Sequence, residues 1–371
     1  MKIVLIVLII CSLGIGCAKQ RYKIIPTETE VVLVLPDSVD ITTVAMYSFL
    51  DDRDGKEYLA LLDKPGMRIL LFSVEGGDTI GALSLPSIGG QPKLVAMRGK
   101  DSAVVYYDYT NTIVTLAGPT NTYMRYPLSN LLVKNGHQFF VNGMLFLKNA
   151  AVLSCGPESV SLQQGYHEFP PFAEVKLGDT SITEVSFFGE QPGAYSNKEM
   201  DYMYDNPLLT SSANNTFKAL WPVCLTRYTY ENQKLISKKD FQLRTARTNI
   251  PFRSSDVRSM SFYRTYQDTS GEIVRLAADT RRELDYLVCR HSQPEMDENG
   301  LRNDIFDSGH TIAVIGEDGV VQYEYVEGRR GYTSGVMLVT SDGLLLQRIP
   351  TLREKLFSRK MRFSKLSVVK Q

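Results

Sequence analysis

From residue 30 onward, short apolar runs alternate with clusters of turn residues. Residues 67–74 and 79–85 flank Glu75-Gly76-Gly77-Asp78, and 173–177 and 181–188 flank Gly178-Asp179. Residues 225–230 and 234–241 flank Glu231-Asn232-Gln233, and 311–315 and 320–326 flank Glu317-Asp318-Gly319. A fifth pair, 336–340 and 344–349, flanks Ser341-Asp342-Gly343. Alternation broken by Gly, Asp and Asn predicts antiparallel hairpins. Between them lie more continuous apolar runs: 57–63, 103–108 with 112–117, 139–141 with 144–147, and 275–278 with 284–290. The unit predicted is an apolar inner strand, a turn and a more amphipathic outer pair. It recurs roughly every 40–60 residues, a period that marks propellers or solenoids. Residues 196–204 and 351–358 have room only for a helical turn or two.

This pattern predicts an all-β fold, a six-bladed β-propeller of four-stranded antiparallel blades, with five to seven blades compatible with the count. Neighbouring blades bury both faces of each sheet, and closing the ring removes most exposed edges. Residues 30–35 and 361–369 are strand-like and suited to close the ring between them. A pair of β-sandwiches would need a central linker, for which only 193–215 has the composition.

The first residues follow a different rule. Met1-Lys2 supplies one charge, Ile3 to Ile10 is unbroken apolar sequence, and Ser12-Leu13-Gly14-Ile15-Gly16-Cys17 follows. This is the pattern of an export signal, too short for the ~20 residues of a spanning helix. Its end resembles the bacterial lipobox, with Gly16 before a lipid-accepting Cys17 and the usual leucine one step early at Leu13. The expected organisation is a signal peptide over 1–16, a polar tether over 17–28 and the propeller over 29–371. An acylated Cys17 implies a membrane partner through its lipid chains. Ala18-Lys19-Gln20-Arg21 lacks the aspartate that would retain the chain at the inner membrane, so the outer membrane is favoured, with the leaflet open.

Composition narrows the partners. Lysine plus arginine equals aspartate plus glutamate at 41 each, which gives no electrostatic reason to expect nucleic acid. Cys155, Cys224 and Cys289 are odd in number and far apart, as buried apolar residues would be. One disulfide among them stays open in an oxidising compartment.

The anchored leader, the run from Tyr47-Ser48-Phe49-Leu50 through 57–63, and Asp279-Thr280-Arg281-Arg282-Glu283-Leu284-Asp285-Tyr286 together resemble a family of Bacteroidota lipoproteins of unknown function. That resemblance implies a six-bladed, TolB-like propeller over nearly the whole mature chain and implies no activity. The sequence departs from it at Tyr286-Leu287, where Tyr-Arg is usual and the arginine is delayed to Arg290.

Candidate chemistry is sparse. His137, His167, His291 and His310 form no zinc-protease pair, and His167-Glu168 runs into Pro170-Pro171, which forbids the helix. All four are expected in loops or at the surface. No Gly-x-Ser-x-Gly elbow occurs. Asp51-Asp52-Arg53-Asp54-Gly55 and Asp297-Glu298-Asn299-Gly300 with Asp304 offer calcium-type oxygens, yet such clusters also make β-turns, the reading favoured here. No catalytic residue, metal or cofactor is therefore assigned. The densest unusual feature is a run of arginine and tyrosine, from which Arg258, Tyr263, Arg264, Arg281, Arg282 and Tyr286 are candidate ligand-binding residues for an acidic glycan or a partner's carboxylate. The bland alternative is a blade with solvated outer strands. The expected function is a non-enzymatic envelope module that binds or assembles a protein or glycan partner. The alternative is a propeller hydrolase or lyase, glycosidase- or lactonase-like and calcium-dependent, whose axial funnel would gather carboxylates or histidines.

Overall fold

The computed structural model describes residues 21–371, leaving out 37–38, 40–44, 52, 119–121, 149, 159–165, 197–199, 202–205, 213–214, 223, 246–251, 254–259, 305–306, 329–331 and 350–358. The expected lipid site Cys17 and most of the two expected helical turns lie outside the described residues.

Six antiparallel sheets form the six blades of a β-propeller. Their innermost strands are Ala45–Asp51, Pro92–Gly99, His137–Leu147, Leu208–Ser211, Glu272–Asp279 and Tyr332–Thr340, in blades 1 to 6. Each innermost strand neighbours the next, and the sixth returns to the first, so together they enclose an axis. Blade 3 carries a fifth, two-residue strand, Val133–Lys134. The sixth blade is closed by the chain ends. Tyr22–Val34 forms its outermost strand, antiparallel to Lys360–Lys370.

The stretch Tyr22 to Glu28 is therefore strand and not tether. Ile24 is buried among Leu284, Tyr286 and Met337. The alternation there is interrupted by a bulge between Pro26 and Glu30, which hides the strand's period from the sequence.

The core is six seams, one between each pair of blades. Leu59 and Leu61 of blade 1 pack against Leu338, Leu345 and Phe363 of blade 6. The intervening Ala60 and Leu62 point the other way, onto Val95, Val105 and Tyr107 of blade 2. A strand buried on both faces has no polar side, which explains why 57–63 reads as continuously apolar. That strand is the second of its blade. The innermost one, Ala45–Asp51, is half-exposed along much of its length because it borders the axis. The most apolar strand of a blade is thus one step out from the axis.

Turn chemistry places the hairpins. Gly343 has φ +144°, and a Cβ there would meet the Leu366 carbonyl oxygen at 2.0 Å. The three later cysteines are free, with Cys155 and Cys289 buried and Cys224 half-buried. One helix differs from expectation. Met260–Thr269 is α-helical where arginine and tyrosine suggested strands. Among the described residues, no helix is long and apolar enough to cross a membrane.

Phe363 is fully buried in the seam that joins blade 6 to blade 1. Phe363→Ala should cost about 3–5 kcal/mol, read as a lowered midpoint in urea unfolding.

Candidate functional site

The innermost strands enclose an axial cavity of about 340 Å³. Its lining includes Tyr47, Phe49, Met97, Met144, Phe146 and Met337, with Arg275 the one charged side chain among the described lining residues. Consecutive residues of separate strands converge there, because each innermost strand turns its free edge to the axis and the side chains of both pleat faces flank it. The apolar surroundings push the Arg275 guanidinium down from its ordinary value, the nearby Tyr47 partly opposing this. Burial raises the Tyr47 hydroxyl, so it stays protonated near neutral pH. Arg98 lies over the Phe146 ring, 5.0 Å from its centroid. Ser48, Thr210 and Ser211 also line the chamber, so its wall mixes aromatic and methionine side chains with hydroxyls and one guanidinium.

The two ends of the propeller differ. The inner strands end in short hairpins at 52–55, 100–101, 148–149, 212–215, 280–283 and 341–342, which define a hairpin face. Ion pairs tie these hairpins together. Arg53 pairs with the buried Asp51 and reaches Asp101 of blade 2 at 2.7 Å. Hydrogen bonding from Arg53 holds the Asp51 carboxyl far below the usual range. Lys100 bonds Asp54 at 2.8 Å, and Tyr58 donates to the same oxygen at 2.7 Å. Arg281 pairs with Glu57 of blade 1. Glu57 also accepts from the Ser341 backbone at 2.7 Å. Arg282 pairs with Asp279 and donates to the Thr340 and Ser341 carbonyls of blade 6.

The opposite, loop-bearing face carries the longer connections, including 128–136, 189–207, 241–271 and 291–309. Here Tyr109 is 87% exposed and Leu301 66% exposed, with Leu131, Val133 and Met296 also exposed. At this end of blade 5, Glu272, Arg290, His310 and Glu327 form a cross-strand row. Arg290 is fully buried, and its Nη2 lies 3.4 Å from Glu272 Oε1. His310 is buried too, and burial, with Arg290 and His291 nearby, lowers its pKa to about 4. His291 Nε2 sits 2.7 Å from Thr311 Oγ1.

These positions sort the sequence candidates. Arg281, Arg282 and Tyr286 come together on the hairpin face, where the buried Tyr286 donates to Asp279 Oδ2 at 3.1 Å. Tyr263 and Arg264 lie on the helix Met260–Thr269, near the opposite end, with Tyr263 half-buried beside Phe262 and Arg264 exposed. Arg258 lies outside the described residues. The structure therefore divides the described five between two ends of the molecule. The solvated-strand alternative also fails for this stretch, since Tyr286 and Arg290 are fully buried. The expectation of surface histidines fails for His310, because the strand register puts it in the row beside buried Arg290. His137 is in a strand, edge-on to Phe169 at 5.2 Å. Of the two calcium-type clusters, the first is occupied by Arg53 and Lys100. In the second, Asp297 accepts from the Asn299 and Leu301 backbone as in a turn. Of the axial residues, Arg275 belongs to the arginine and tyrosine run noted in the sequence, whereas Met97, Met144 and Phe146 were not singled out, because their convergence depends on ring closure.

Comparison with solved structures places this geometry in a known fold. A DUF4221 family member from Bacteroides vulgatus aligns with TM-score 0.72 at 11% identity, covering 95% of this chain and 99% of that one. A Bacteroides fragilis protein described only provisionally as exported aligns with TM-score 0.52 at 10% identity, over 93% and 95% of the two chains. Virginiamycin B lyase from Staphylococcus aureus aligns with TM-score 0.42 at 10% identity, over 94% and 100%, too weakly to inform function. No family model and no curated protein matches the sequence.

The depressed His310 pKa has a thermodynamic consequence. Its neutral form is favoured in the folded state, so its contribution is fully present above the unfolded value near 6.5. It is lost as pH falls from there towards 4. Urea unfolding should lose up to about 3 kcal/mol over this window, and His310→Gln should flatten the slope.

Proposed function

We propose that this chain is an exported, lipid-anchored envelope protein whose propeller acts as a non-enzymatic binding or assembly module for a protein or glycan partner. The observation that carries this reading is the axial cavity, whose described lining holds aromatic and methionine side chains, the hydroxyls of Ser48, Thr210 and Ser211, and one arginine where a hydrolase would gather carboxylates or histidines. Exposed apolar side chains on the loop-bearing face, Tyr109, Leu131, Met296 and Leu301, support it, since binding residues concentrate on loops held by a rigid scaffold. Export accords with the leader and with the structural relative described as exported. Lipidation at Cys17 and residence at the outer membrane rest on the lipobox-like sequence. They make the Bacteroidota lipoprotein resemblance the natural family setting.

Two measurements test these points. Cys17→Ser should move the chain from the membrane fraction to the soluble fraction, and unchanged membrane retention would remove the anchor. Co-purification from detergent-solubilised envelopes should recover one protein or glycan species in constant ratio. Tyr109→Ala combined with Leu301→Asp should abolish that recovery. Turnover of an ester, lactone or glycoside panel without such a species would overturn the binding reading.

A further inference from the structure

The propeller's two ends are not equivalent with respect to the chain's start. Arg21 is held in place, its carbonyl accepting the Gln371 backbone N–H at 2.8 Å, and Tyr22 pairs with Lys370 at the first rung of the closing strand. This rung lies on the hairpin side. Arg21 and Tyr22 line a groove of about 360 Å³ together with Arg282 and Glu283 of the 280–283 hairpin and Glu317 and Asp318 of the neighbouring turn. Lys365, on the strand paired with Tyr22–Val34, reaches Asp342 of the 341–342 hairpin at 2.9 Å.

Only four residue steps separate Cys17 from Arg21. Fully extended, they span at most ~14 Å. The other end of the same strand, at Val34, lies 13 residues along. At strand rise that is ~40 Å away, well beyond the leash.

We propose that the hairpin face is held against the membrane surface, with the loop-bearing face turned away from it. This rests on the lipid-anchor reading of Cys17 and adds the orientation that the short leash imposes. The face also fits its occupant. Its charges are of both signs and largely paired with each other, Arg53 with Asp51 and Asp101, Lys100 with Asp54, and Arg281 with Glu57. Such a face neither requires nor repels anionic lipid, and the lipid chains supply the hold. Tyr109, Leu131, Met296 and Leu301 are then presented to the compartment, where a partner meets them without competing with lipid.

The test uses the full lipidated chain in vesicles of phosphatidylethanolamine and phosphatidylglycerol that carry a headgroup quencher. Cys224→Ser removes the half-buried thiol. Single fluorophores are then placed at Asp179→Cys, in a turn of blade 3 on the hairpin side, and at Tyr109→Cys on the loop-bearing side. Quenching severalfold stronger at position 179 than at 109 is the expected result, and it should persist in high salt because no net electrostatic attraction orients the body. Equal quenching at the two positions, or stronger quenching at 109, overturns the orientation. A long Gly-Ser insertion between Gln20 and Arg21 should erase the difference, since a flexible linker frees the body to tumble. If the difference survives the insertion, the leash is not its cause and the argument fails. The mass of the Cys17 peptide, measured on the same sample, separates the two claims. Lipid present with no difference defeats the orientation alone, whereas lipid absent defeats the anchor and the orientation with it.

Discussion

The pairing of Tyr22–Val34 with Lys360–Lys370 is the constraint on which the rest depends. Ten register pairs join the first strand of the fold to its last, and one of them also pairs with Gly343–Arg348. The closing strand feeds two seams at once. Ile24 enters the core between blades 5 and 6, and Val31 and Leu33 enter the core between blades 6 and 1. Losing it would open both. Each blade has two such seams and no independent core, so the ring stands or falls as a unit. Closure also brings Arg21 and Gln371 together at one rim and makes six inner strands converge on one cavity.

Charged side chains do a second job in the seams. Asp285 of blade 5 is fully buried and receives Lys218 at 2.8 Å and Arg227 from blade 4. Arg227 continues to the carbonyls of Gly316 and Glu317. Desolvating three charges offsets most of what their attraction returns, so a buried cluster of this kind adds little net stability. Its geometry is demanding, however, and apolar side chains alone would tolerate a slipped blade. Arg282 plays the same part between blades 5 and 6, and Arg53 between blades 1 and 2. These residue-specific locks suit a scaffold that must hold its angular order while its outer loops vary.

Much of this was legible in the sequence, for identifiable reasons. All five hairpins read from Gly, Asp and Asn turns are present within a few residues, because turn geometry is a local demand. The closing strands were legible for the same reason, except for Tyr22 to Glu28, where the bulge masks the period. The site was less legible. Its lining comes from short segments of strands far apart in sequence, and nothing local distinguishes Met97 or Met144 from an ordinary core methionine. Arginine and tyrosine also misled. Arg281 and Arg290 share a strand-rich stretch, yet one is exposed in a hairpin and the other fully buried. Only register within the sheet separates them.

The contrast between the two faces follows from where the chain spends its residues. Hairpins joining the inner strands to the second strands are short, and short turns leave little freedom, so that face is repeated from blade to blade and laced by ion pairs. The opposite face gathers the connections between blades, which cross from an outer strand to the next inner one and carry Leu131, and the turns joining second to third strands, which carry Tyr109 in blade 2 and Leu301 in blade 5. A body with one uniform face and one varied face suits attachment at the first and recognition at the second. The axial cavity fits the same division. Its wall sets Tyr47, Phe49, Met97, Met144 and Phe146 beside the hydroxyls of Ser48, Thr210 and Ser211 and the Arg275 guanidinium, a mixed lining that can receive a group with both an apolar and a polar part. Away from that chamber, the buried carboxylates Asp51, Asp279 and Asp285 are each engaged by arginine, and these pairs help hold neighbouring blades in register.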